Sequence, residues 1–137
     1  MAETEIIKKL CNELNGDLVT DNFCVVKVGG GYPELQIRSG LKGVWLGFYH
    51  EDVEEDVAGN EFKRISSGGV FDQIYGGEFG ELECVGKNPK ICKLSGKDED
   101  VIIIKEESPN LDKEDIDVRV RHKGRGIADF HLSKKLY

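Results

Sequence analysis

Apolar residues recur at three- and four-residue spacing in one stretch of the chain. Ile6, Ile7, Leu10, Cys11 and Leu14 share a helical face, Thr4 stands where a cap would precede them, and Asn15-Gly16 suits a C-terminal stop. Beyond that pair the pattern becomes short β-type segments separated by glycine and acidic turns. Strands are expected near Phe23–Val28, Glu34–Arg38, Val44–His50, Gly69–Tyr75, Glu81–Val85, Val101–Glu106, Asp117–Lys123 and Ile127–Ser133. Turns are expected at Gly29-Gly30-Gly31 and at Ser39-Gly40-Leu41-Lys42-Gly43, and His50–Glu61 reads as an acidic loop or a short helix. The continuous run Val101-Ile102-Ile103-Ile104 predicts a central strand covered on both faces. The expected fold class is α+β: an N-terminal helix packed on a mostly antiparallel, meandering β-sheet that ends in a C-terminal β-hairpin, all in a single domain over 1–137.

Side-chain alternation also suggests a register for that hairpin. A three-residue loop at Gly124-Arg125-Gly126 would pair Val118 with Leu132, Val120 with Phe130 and His122 with Ala128 on one face. The other face would pair Arg119 with His131, Arg121 with Asp129 and Lys123 with Ile127. Alternation likewise sends Val44, Leu46 and Phe48 to one side of their strand and Trp45 and Tyr49 to the other. The pair Trp45 and Tyr49 then either packs under the helix or forms an aromatic platform for a partner. Phe71, Tyr75 and Phe79 allow the same two readings.

A chain of 137 residues can bury roughly two-thirds of its unfolded surface, so folding requires neither a metal nor disulfides. Its seventeen glycines favour a turn-rich β fold. The four cysteines form no C-x-x-C pair, and they are expected to be reduced and mostly packed as small hydrophobes, a Cys84–Cys92 bridge being expected only in an exported protein. No basic segment followed by a long apolar stretch opens the chain, and no run approaches a membrane span, so a cytoplasmic location without a membrane partner is expected.

Charge is distributed unevenly. The net value is −7, yet residues 118–137 hold six Lys and Arg against one acidic residue, while residues 1–117 hold thirteen against twenty-five. On the expected hairpin, Arg119, Arg121, Lys123 and Arg125 form a cationic stripe with His131 beside them, suited to an acidic protein or to phosphate. His131 is the best-placed general acid, though no catalytic set is assigned. The stretch from His50 to Asp56 is dense in oxygen donors but lacks the ligand order of an EF-hand, and no metal site is assigned. The glycine turns lack the features of a P-loop or a dinucleotide fingerprint, and Ser66-Ser67-Gly68-Gly69 is not a nucleophile elbow.

These features favour a non-catalytic protein-binding module of the inhibitor, immunity or regulatory-subunit type, using the cationic hairpin and the acidic loops, with no cofactor implied. The alternative is a nucleotide- or nucleic-acid-binding protein, with phosphodiester chemistry on the Arg119, Arg121 and His131 face. A pI near 5.0 disfavours extended nucleic acid relative to a small phosphate ligand.

Overall fold

Helix α1 spans Glu3–Glu13 and buries the apolar face expected of it, Ile6, Ile7, Leu10 and Cys11. The computed structural model describes residues 2–28, 34–40, 43–55, 61–97, 100–108 and 113–135. Ala2, rather than Thr4, occupies the N-cap, and no side chain caps the helix there. Glu3 and Glu5 instead complement the positive end of the helix dipole. At the other end Asn15 takes a left-handed φ of 54°, and the Gly16 and Asn15 N–H groups return to Cys11 O at 2.8 Å and Asn12 O at 3.2 Å. This paired closure is a Schellman stop, with asparagine accepting the conformation more often taken by glycine.

The strands that follow run antiparallel in chain order, as expected of a meander, but they form two sheets. The first holds β1 (Asp17–Thr20), β2 (Phe23–Lys27), β3 (Glu34–Gly40), β4 (Gly43–Glu55) and β5 (Glu61–Gly77). The second holds β6 (Glu81–Val85), β7 (Lys90–Ser95), β8 (Asp100–Glu107), β9 (Lys113–His122) and β10 (Arg125–Lys135). Between them lies Glu78-Phe79-Gly80, where Phe79 turns into the core and the Gly80 N–H bonds Ser95 O at 2.8 Å. A break here fits the tendency of large twisted sheets to split.

Strands β1 and β7 were not anticipated. All four β1 residues are exposed, so no alternation marks it, and β7 turns only Cys92 and Leu94 inward among lysines. The acidic stretch His50–Glu55 continues β4 and is neither loop nor helix; 56–60 lie outside the described residues, as do the Gly29–Gly31 turn and Leu41-Lys42.

One apolar cluster joins the inner faces of both sheets to α1. Inward alternation places Cys24, Val26, Leu35, Ile37, Val44 and Leu46 in it from the first sheet, and Leu82, Cys92, Leu94, Val101, Ile103, Val118, Val120 and Leu132 from the second. Strand β8 is the central member of its sheet, as its apolar run suggested, but only Val101 and Ile103 are buried. Ile102 and Ile104 turn outward and stay half-exposed, so the strand is covered fully on one face.

Polar contacts hold the helix to both sheets. Ser39 Oγ donates to Glu3 at 2.6 Å, Lys9 donates to Leu82 O at 3.3 Å, and Lys90 pairs with Glu13 at 2.9 Å. Lys105, only 4% exposed, points into the core between Leu14 O, to which it donates, and Glu107 at 3.0 Å. It thus places a cation against the negative end of α1.

The cysteines correct the expectation of reduced thiols. Cys11 and Cys24 are joined with a Cα–Cα distance of 5.8 Å, which fastens α1 to β2, and Cys84 is joined to its cross-strand partner Cys92 at 4.1 Å. Apolar surroundings, read as a sign of simple packing, instead result from two inward-facing pairs meeting in the core. Disulfides of this kind persist in oxidising compartments, so the pairing gives no support to a cytoplasmic location. No helix among the described residues is long and apolar enough to cross a membrane.

Candidate functional site

The C-terminal hairpin closes through a tighter turn than alternation suggested. Lys123 and Gly124 form a two-residue loop with φ values of 50° and 78°, the left-handed pair that a type I′ turn requires. A bulge then intervenes between Gly126, opposite Arg121, and Ala128, opposite Val120. Val118 consequently faces Phe130, and Ile116 faces Leu132. The expected register is displaced by two residues. From Ala128 onward such a shift returns each side chain to its original face, so the face assignment survives there while the pairing does not; between the bulge and the turn, where Gly126 meets Arg121 and Arg125 meets His122, the displacement is three.

That displacement changes the surroundings of the basic residues. His131 stands opposite Asp117 rather than Arg119, with Nδ1 2.6 Å from Asp117 Oδ1 and Nε2 3.2 Å from Asp115 Oδ1. The hydrogen bond to Asp117 raises the imidazole pKa above its ordinary 6.5; burial opposes it, and the charges of both aspartates act in the same direction as the hydrogen bond. Arg119 stands opposite Asp129, its Nε 3.7 Å from the carboxylate. The stripe is therefore divided. Its Arg119 and His131 portion is interleaved with three aspartates, whereas Arg121, Lys123 and Arg125 remain exposed at the tip, without an ion pair among the described residues. The Lys123 backbone N–H bonds Asp100 Oδ1 at 3.2 Å, which fixes the turn against β8.

Beside this tip the outer face of the second sheet carries a feature that the sequence reading missed. Pairing aligns Val85, Ile91, Ile104 and Arg119 in one row across β6, β7, β8 and β9, and Glu83, Lys93, Ile102 and Arg121 in the next. Val85 is 57% exposed and Ile91 36%, and the half-exposed Ile102 and Ile104 extend the apolar surface toward Arg119 and Arg121. Ile127, also exposed, follows the hairpin turn. Alternation could have marked Val85 as outward-facing, because its neighbours Leu82 and Cys84 point inward. The row itself requires knowing that β7 lies between β6 and β8.

Trp45 and Tyr49 lie on the first sheet, away from the hairpin, and face opposite to buried Val44 and Leu46. Trp45 lies across two glycines: a Cβ on Gly40 would come within 1.9 Å of its Nε1, and one on Gly76 within 2.4 Å of its Cε3. Tyr49 borders a cavity of about 670 Å³ on that face. Phe79 is part of the core, and the side chains of Phe71 and Tyr75 lie outside the described set. Among the described residues no three metal-ligating side chains cluster; the side chains of the acidic 50–61 segment all lie outside that set.

No family model, curated protein or solved structure matches this chain.

Proposed function

We propose that the protein is a non-catalytic binding module of the inhibitor or regulatory type, engaging an acidic protein through the outer face of its second sheet. The observation that carries this reading is the row Val85, Ile91 and Ile104, an apolar surface exposed at Val85 and Ile91 that ends at Arg119, with Ile102 and Arg121 paired in the next row. Apolar patches rimmed by charge are typical of protein interfaces. The tip cations would steer an acidic partner and set its orientation. A phosphate ligand on Arg119 and His131 has less support, because Asp115, Asp117 and Asp129 would repel an anion there.

The test is affinity capture from the source lysate with wild type, Ile91→Asp and the triple variant Arg121→Glu/Lys123→Glu/Arg125→Glu, compared by mass spectrometry. An acidic protein retained by wild type and lost from both variants is the expected result, with only moderate weakening as salt rises. Equal retention by all three would overturn the assignment. Steep salt dependence with loss only from the charge variant would favour a phosphate-bearing ligand instead.

A further inference from the structure

The cavity on the outer face of the first sheet has an unusual floor. Its volume of about 670 Å³ is in the range of small-molecule sites, roughly 300–1,000 Å³. In the middle row of the sheet Val25 pairs with Gln36 and Gln36 with Gly47, so beside Gln36 the glycine adds no side chain. Gln36 is 6% exposed, and its Oε1 has no hydrogen-bond partner among the described residues. The Gln36 amide acts to lower the pKa of the neighbouring Glu34 carboxyl, as a donor beside a carboxylate does. An ionised carboxylate only accepts, so it is the amide nitrogen that favours the Glu34 side, which leaves the amide oxygen as a buried, unpaired acceptor. Buried acceptors are nearly always paired, and an N–H group from a ligand would complete this one.

The charges around that acceptor narrow the ligand class. Asp17 and Glu34 line the cavity together with Lys27 and Arg38, giving a neutral but dipolar wall. Arg38 and Glu34 flank Gln36 on β3 at alternate positions, with the Arg38 guanidinium 5.8 Å from the Phe23 ring centre. Burial pushes the Glu34 carboxyl above its ordinary 4.5, against the Gln36 hydrogen bond and the charges of Lys27 and Arg38. A ligand cation beside it would replace lost hydration. A simple anion or a simple cation satisfies only half of this arrangement.

We propose that the cavity binds a small ligand with a free α-amino-acid head group, its ammonium donating to Gln36 Oε1 beside Glu34 and its carboxylate facing Arg38. The aromatic rings of Phe23 and Tyr49 border the space left for the ligand's side chain. This site lies on a different sheet from the protein-binding face, so either assignment can fail without the other.

Calorimetric titration of the full, oxidised chain with the standard L-amino acids tests it, each binder being repeated as its decarboxylated amine and its N-acetyl derivative. At least one amino acid should bind with Kd below about 1 mM. Gln36→Leu, which removes an unpaired polar group and keeps the fold, should weaken that binding at least about tenfold, and so should loss of either the carboxylate or the free ammonium. Arg38→Met should weaken the amino acid but not the amine. Absence of binding by any amino acid, unchanged affinity in Gln36→Leu, or equal affinity for the amine would each overturn the proposal.

Discussion

The two sheets have the same strand order and share one core, yet their outer faces are opposite in character. On the first, polar Glu34 and Gln36 are 5% and 6% exposed and border a cavity. On the second, apolar Val85 and Ile91 stand in solvent beside the hairpin cations. Polarity and exposure are thus exchanged relative to the usual rule that buried positions are apolar. The exchange teaches that the inner faces define the fold, while the outer faces, released from that requirement, are where binding chemistry can be placed.

The largest expected effect concerns what holds the first sheet in place. Replacing Cys11 and Cys24 together by serine should lower stability by about 3 kcal/mol, measured by chemical denaturation, because the bridge closes a loop across α1 and β2. If the loss is small, the first sheet is not rigid enough for its buried outer face to be a binding floor. Gly76→Ala comes next, at about 1–3 kcal/mol, because its new Cβ would collide with the Trp45 ring. A neutral result would mean that this face tolerates substitution as an exposed surface does.

On the second sheet, smaller effects are expected. Protonation of His131 should be visible by NMR as a titration midpoint above 6.5 that returns toward that value in Asp117→Asn. Because the folded-state pKa is raised, the stabilisation from the histidine's contacts is fully present below about pH 6.5 and is lost as pH rises through the folded pKa. A midpoint at or below 6.5 would contradict the contact with Asp117. Val85→Ser should change stability by less than about 0.5 kcal/mol in thermal unfolding, since the residue is exposed. A large loss would show that the row belongs to the core, and the contrast between the two faces would then disappear.

Much of this arrangement was legible along the chain, for a local reason. Helical spacing from Ile6 to Leu14 found α1, and period-two alternation sorted the two faces of β4 and of β9, although the apolar run of β8 hid its own alternation. The hairpin register escaped because alternation repeats every two residues and cannot detect a two-residue slip. Strand β1 escaped because every residue on it is exposed, leaving no contrast to read. The cysteine pairs escaped because Cys11 and Cys24 meet only when α1 folds onto β2.

The candidate sites divide along the same line. Basic residues at 119, 121, 123 and 125 could be recognised by composition, and Trp45 with Tyr49 by alternation. Which basic residues are paired with aspartates depended on the bulge that brings Asp117 to His131 and Asp129 to Arg119. Val85, Ile91 and Ile104 are separated in sequence and become one surface only through three-strand pairing.

By itself, then, the sequence determined the helix, the antiparallel β character and the sorting of side chains into inward and outward sets, because each follows from spacing along a few neighbouring residues. Tertiary structure alone decided the split into two sheets, the disulfide pairs, and the depth at which each outer face lies. Those depend on which distant segments come together, and no local periodicity encodes that.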